Sequence, residues 1–324
     1  MNWAETCAKY EEANFHQSPR WAKVNELVGA KTITKDLMND GVLLAMVRDA
    51  KRGRYLEIPC GPVINWSNEK AVKEAMDTIT AIAKENNCVF VRVRPQLLGT
   101  DENLALLKKL GFRQSPMHLA AEHTVIIDLT KPEDQLLAEM RRQTRYEIKQ
   151  AKKQGIIIEK SNSEEIFKEF HKVQVETAKR KGFIPPKIQN LLAEREAFGD
   201  DAQIYIAYTA EREPIAYGLI LKDINEAEYF EAASTDLNRR LPGAYALIWQ
   251  VIEDLKKTDI KRFNLYGIAP QGQPHHRYAG VTTFKTGFSN ARTEYVPAHD
   301  FVISKFKYLK NLIVETIRRK KRHL

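Results

Sequence analysis

The chain has 324 residues, 43% hydrophobic and 29% charged, enough to bury one large core or two ordinary ones. That composition excludes a disordered or collagen-like chain. Three widely spaced cysteines, Cys7, Cys60 and Cys88, exclude a disulfide framework and point to a reducing compartment.

In chain order, residues 17–24 (QSPRWAKV) begin an early helix, and GVLLAMVRDAKRGRYLEIP reads as two strands around a basic turn. Residues 67–86 form a helix with Ala71, Ala75, Ile79 and Ile82 inward, followed by an alternating strand over 88–95. A helix over 101–110 ends at Gly111, a fitting C-cap, and HTVIIDL makes a strand at 123–129. The next segment, Asp128 to Gly155, reads as one basic helix. Thr130 and Glu133 give its capping-box pattern, and Leu137, Met140, Thr144, Ile148 and Ala151 its core face. Helices then cover 163–179 and 186–198, a hairpin covers 202–223, and AEYFEAAS is a strand. PGAYALIWQVIEDLKKT is a helix, KRFNLYG a strand, and TEYVPAHDFVI a last strand region. The tail is a packed helix with apolar residues at 302, 303, 306, 309, 312, 313 and 317.

The order repeats. RDAKRGRYLEIP aligns with KDINEAEYFEAA, CVFVRVRP with IKRFNLYG, and LKKLGFRQS with TFKTGFSNA. So long a period means duplicated domains rather than a solenoid, and mixed α+β sheets with helices on their faces fit each copy.

The net charge of +9 is concentrated in two places. Residues 141–153 hold six Arg or Lys against Glu147, and residues 305–322 hold eight against Glu315. Arg141, Arg145, Lys149 and Lys152 run down one helix face, able to cradle a polyanion or simply to meet water. Nucleic acid and anionic membrane are both compatible partners.

Motif searches eliminate much chemistry. HExxH, CxxC, GxSxG and GxGxxG are all absent, and His275, His276 and His299 lack a placed companion ligand, so no metal is expected. RRLPGAYAL, with Arg240 and Gly243, resembles an acetyltransferase pyrophosphate loop, but Tyr245 stands where a small residue belongs, so coenzyme A is not expected. No signal peptide or membrane-spanning run is visible, which makes a cytoplasmic location the expectation. The loop 264–290 is rich in glycine and polar residues between two apolar runs. In it Lys285, flanked by Phe284 and Gly287-Phe288, suits a phosphate, a developing oxyanion, or a lysine stem covering an apolar edge.

Taken together, QSPRWAKV, GPV at 61–63, TRYEIKQAKKQGI at 144–156, FNLYGI at 263–268 and HHRYAGVTTFKTGF at 275–288 resemble the Fem family of aminoacyl-tRNA-dependent peptidyl transferases. The resemblance covers nearly the whole chain and implies an α+β fold of two tandem acetyltransferase-like domains. The first would comprise residues 1–135 and 296–324 and bind the precursor. The second, 136–295, would hold the tRNA acceptor end without the coiled-coil arm of longer members. The implied activity moves an amino acid from aminoacyl-tRNA to the stem-peptide amine of a lipid-linked or UDP-linked peptidoglycan precursor, with no cofactor. The tail's closing RRKKR suits anionic lipid or RNA, so peripheral contact with the inner face of an anionic membrane is an expectation from its charge.

By the same resemblance, Lys285 stabilises negative charge at the reacting ester or the terminal phosphate, and Phe284 shapes the same pocket. Lys23 meets precursor phosphate, Trp21 packs its motif, and Lys187, Arg180 or Lys181 completes the phosphate site. For the stripe of Arg141, Arg145, Lys149 and Lys152, contact with tRNA backbone phosphate is a hypothesis, and a role of that helix in domain packing stays open. Arg94 departs from the family pattern, which can place an acid there. Two alternatives stay open: aminoacyl transfer to a protein or small-molecule amine, and a non-catalytic tRNA- or precursor-binding module.

Overall fold

The computed structural model describes residues 3–182, 184–276 and 278–322. The chain divides into two compact units: Met1–His123 with Gly267–Gly280 and Thr293–Leu324, and Thr124–Tyr266 with Val281–Arg292.

The first unit carries a six-stranded sheet of β1 (Lys31–Leu37), β2 (Gly41–Arg48), β3 (Tyr55–Pro59), β4 (Phe90–Arg94), β13 (His299–Val302) and β5 (Arg113–Gln114), in that spatial order. Helix α1 is Trp3–Ala8, α2 Pro19–Leu27, α3 Glu69–Glu85 and α4 Asp101–Lys109. The expected inward face of α3 is present: Ala71, Ala75, Ile79 and Ile82 are buried in one cluster with Leu43, Leu56, Ile58, Val91 and Val93 of the sheet.

The second sheet runs β12 (Arg292–Glu294), β6 (His123–Asp128), β11 (Arg262–Asn264), β10 (Glu226–Ser234), β9 (Pro214–Asp223), β8 (Ala202–Tyr208) and β7 (Ile157–Ser161). Its helices are α5 (Glu133–Glu139), α6 (Arg142–Lys153), α7 (Glu164–Lys181), α8 (Ile188–Phe198), α9 (Gly243–Leu255) and α10 (Ala279–Lys285). Helix α11 (Lys305–Arg322) returns to the first unit.

The repeat is topological. In one sheet β2 and β3 are antiparallel, β3 and β4 parallel, and β4 and β13 antiparallel. In the other, β9 and β10 are antiparallel, β10 and β11 parallel, and β11 and β6 antiparallel. The parallel step needs a crossover helix, which α3 and α9 supply.

Two expectations are corrected. The single basic helix is two, because Met140 and Arg141 are extended (ψ 147° and 143°). The Arg141 amide donates to Gly287 O at 2.9 Å instead of continuing the helix. The Arg145 guanidinium caps the end of α5 by donating to the carbonyls of Leu137, Ala138 and Met140. The capping box does not form: Thr130 Oγ1 donates to Asp128 at 2.6 Å, and Pro132 precedes α5 without a side-chain cap. The second correction concerns the tail. Phe306, Leu309, Ile313 and Ile317, read as packed, are exposed.

Candidate functional site

The site is built on the second sheet around α10. Of that helix's side chains, only Lys285 is buried, at 8% exposure. An amphipathic helix ordinarily buries apolar residues, so a lysine in that place requires a specific surrounding. Asn264 at the end of β11 supplies part of it. Its Oδ1 accepts from the Tyr266 amide at 2.9 Å and from Thr124 Oγ1 at 2.5 Å. Its Nδ2 donates to Glu226 at 3.2 Å, and Glu226 also pairs with Arg262 at 3.3 Å. This network turns the backbone at Tyr266 into the left-handed region, φ 56°, which a non-glycine residue holds only when its surroundings fix it. The Tyr266 carbonyl then accepts from Lys285 Nζ at 3.2 Å.

Lys285 Nζ also lies 5.9 Å from the centre of the buried Tyr229 ring. Burial pulls the ammonium down from 10.5 to about 7, with the charge of buried Glu228 acting the other way. A lysine balanced this near neutrality is either a cationic donor to a developing oxyanion or an amine that takes a proton.

Phe284 belongs to an aromatic triad. Its ring centre is 5.0 Å from Tyr245 and 5.3 Å from Phe288, and Tyr245 and Phe288 are 5.9 Å apart. The tyrosine that argued against a coenzyme A loop is thus packed into this wall. Gly243 beside it packs closely on β9, where a Cβ would approach Ile215 to 2.5 Å.

The basic stripe is divided by its contacts. Arg141 donates to the Thr283 carbonyl and Arg145 caps α5, so both are committed to structure. Lys149 and Lys152 are exposed, with no ion pair among the described residues. Arg180 of α7 is likewise engaged, with Asp236 at 2.6 Å, the Ser234 carbonyl, and Thr177 at 3.2 Å. Lys187 is exposed at the N-cap of α8. The side chain of Lys181 and residue Arg277 lie outside the described residues.

In the first unit, Lys23 is exposed on α2 while Trp21 packs 5.3 Å from Phe15 and 4.7 Å from His16. Arg94 is buried at 2% exposure, donates to the Cys60 thiol, and lies over the Tyr295 ring at 5.2 Å. Burial, with the Arg94 charge adding to it, drives His16 down to about 3, so this ring stays neutral. Among the described residues, no group of three or more His, Cys, Asp and Glu could hold a metal, and no helix is long and apolar enough to cross a membrane.

The model of the FemAB family matches residues 3–213 and 209–315. The chain belongs to the FemAB family. A relative described as aminoacyltransferase FemA, from Staphylococcus epidermidis, is 22% identical, with 88% of each chain covered. The lipid II:glycine glycyltransferase of Staphylococcus aureus is 27% identical over 65% of this chain and 53% of that one. The FemX crystal structure superposes with a TM-score of 0.85 at 16% identity, covering 97% of both chains. The L-PGS structure from Bacillus licheniformis gives 0.57 at 14% identity, covering 94% of this chain and 98% of that one. The FemX match shows the fold of this FemAB member to be the expected α+β class with two tandem mixed sheets.

Network residues Asn264, Tyr266, Tyr229 and Glu228 were not singled out from sequence. Asn264 and Tyr266 lie inside FNLYGI, and a polar Asn at the end of an otherwise apolar strand was the available signal.

Proposed function

We propose that this FemAB member transfers an amino acid from aminoacyl-tRNA to the stem-peptide amine of a peptidoglycan precursor, with α10 at the reacting ester. The observation that carries this reading is Lys285: the one buried side chain of its helix, held by a carbonyl and an aromatic face at a pKa of about 7. The family's relatives include an aminoacyltransferase and a glycyltransferase named for lipid II, which favours a lipid-linked acceptor.

The reaction is aminolysis. The acceptor nitrogen attacks the ester carbonyl, a C–N bond forms, the C–O bond to the tRNA ribose breaks, and the proton lost by nitrogen ends on the ribose oxygen. Lys285 as ammonium donates to the carbonyl oxygen as it gains negative charge, where a preorganised donor is worth most. Phe284, braced by Tyr245 and Phe288, walls that position and excludes water. Because the ester is already activated, holding the two substrates in register supplies much of the rate. Lys149 and Lys152 meet tRNA phosphate, with Arg141 and Arg145 serving to fix the helix that presents them. Lys23 takes precursor phosphate in the first unit, with Trp21 positioning its helix; in the second, Lys187 is an exposed cation for a phosphate contact of its own and Arg180 orders the end of β10.

Purified protein offered a mixed pool of labelled aminoacyl-tRNAs, with lipid-linked and UDP-linked precursors in parallel, tests this by mass spectrometry of the products. One amide-linked residue or more on the stem peptide is expected, absent with Lys285→Ala. tRNA binding without product would make the chain a binding module. Transfer only to an added protein or free amine would replace the acceptor assigned here.

A further inference from the structure

Helix α11 has two opposed faces that both look like contact faces. The inner one is pinned by charge. Arg92 of β4 binds Asp300 at 2.7 and 2.9 Å and Glu315 of α11 at 2.7 Å, Tyr308 donates to Asp300 at 2.8 Å, and Arg52 donates to Asn311 at 3.1 Å. Tyr308, Asn311 and Glu315, with half-buried Leu312, therefore define the packed side. At about 3.6 residues per turn, Phe306, Leu309, Ile313 and Ile317 fall on the opposite side in one stripe. They are 90%, 55%, 53% and 50% exposed. Rolling the stripe inward would separate Arg92 from Glu315 and leave a buried guanidinium short of a partner, so the outward setting is built in.

Four large apolar side chains in one exposed line are more than scattered surface hydrophobics. Lys305 and Lys310 are exposed on either side of that line, Lys307 and Arg318 are exposed further round the helix, and eight Arg or Lys stand against one acid over residues 305–322. We infer that the outer face of α11 docks on an anionic lipid bilayer, lying in the interface with the apolar stripe among the acyl chains and the cations among headgroups. The charge decides the occupant. A second copy of this helix would bring the same cations together around the stripe, and an RNA backbone would use the cations but leave the apolar line without a partner. With so many charges α11 lies on a bilayer rather than across it.

Vesicle flotation tests this with the full chain and neither tRNA nor precursor present, so the result stands apart from the transfer reaction. Wild type floats with phosphatidylglycerol-rich vesicles and poorly with phosphatidylcholine alone. Phe306→Ser with Ile313→Ser lowers partitioning about tenfold or more, and Lys307→Glu with Lys310→Glu removes the lipid preference. Both keep the wild-type melting temperature because every changed side chain is exposed, and Lys285→Ala floats like wild type. Wild type failing to float, or the apolar double variant floating equally well, overturns the proposal. So does a dimer abolished by Phe306→Ser with Ile313→Ser in the absence of any lipid binding.

Discussion

Each unit places a cation over a tyrosine of its second repeated strand, β3 or β10, with opposite consequences. In the first, Arg92 lies 5.9 Å from the Tyr55 ring centre and is held by Asp300 and Glu315, which drive its pKa upward despite burial. In the second, Asn264 takes the position equivalent to Arg92, and the cation over Tyr229 is Lys285, arriving from α10. Burial dominates there and draws the ammonium down to about 7. The scaffold is shared; the balance of carboxylates against desolvation separates a cation held firmly charged from one drawn toward neutrality. The helices preceding the Gly-Phe pairs tell the same story. Lys109, which aligns with Lys285, is exposed at the end of α4.

The largest expected effect breaks that pair apart. Lys285→Ala should cut transfer about 100-fold or more, the scale of losing one oxyanion donor, while Lys109→Ala leaves the rate within error in the same steady-state assay. Next come the two glycines. At Gly287 a Cβ would meet Thr144 Oγ1 at 2.3 Å and Arg141 at 2.6 Å, so Gly287→Ala should cost about 1–3 kcal/mol in urea unfolding. Gly111, at φ 86°, has only Phe301 at 3.4 Å; Gly111→Ala should cost about 1 kcal/mol from backbone strain.

The pH dependence separates the cations further. Lys285 titrates near 7 folded and near 10.5 unfolded, so between those values the unfolded chain binds more protons and this group's contribution to stability rises with pH. Replacing it with Met should flatten that rise in urea midpoints measured from pH 7 to 10. A midpoint series unchanged by the replacement would mean the lysine is not desolvated. The smallest effect is at the surface: Lys149→Glu with Lys152→Glu should weaken tRNA binding and reduce the slope of log K against log salt by about 2, against an unchanged slope for Lys70→Glu with Lys73→Glu on α3.

The central strands and the large helices were legible because apolar runs and helical periodicity survive in them. The strands not legible in the sequence are β1, β7 and the two-residue β5, all at sheet edges and mostly exposed, so polar and charged residues occupy positions that would otherwise alternate. The break at Met140–Arg141 was hidden because a distant carbonyl, Gly287 O, replaces a helical acceptor there. Lys285 and Phe284 were legible through a resemblance in motif. Their supports were not: Tyr229 and Glu228 read as ordinary strand residues until the fold brings β10 beside β11. The tail's periodicity correctly gave a helix, but periodicity cannot say which of two contact faces turns inward; Arg92 decides it.

The most direct test of the lysine site is single-turnover transfer by Lys285→Ala, with affinity for aminoacyl-tRNA and precursor measured on the same samples. Affinities close to wild type and a collapse of the chemical rate are expected. An undiminished rate, or a loss explained wholly by weaker binding, would contradict this role of the lysine.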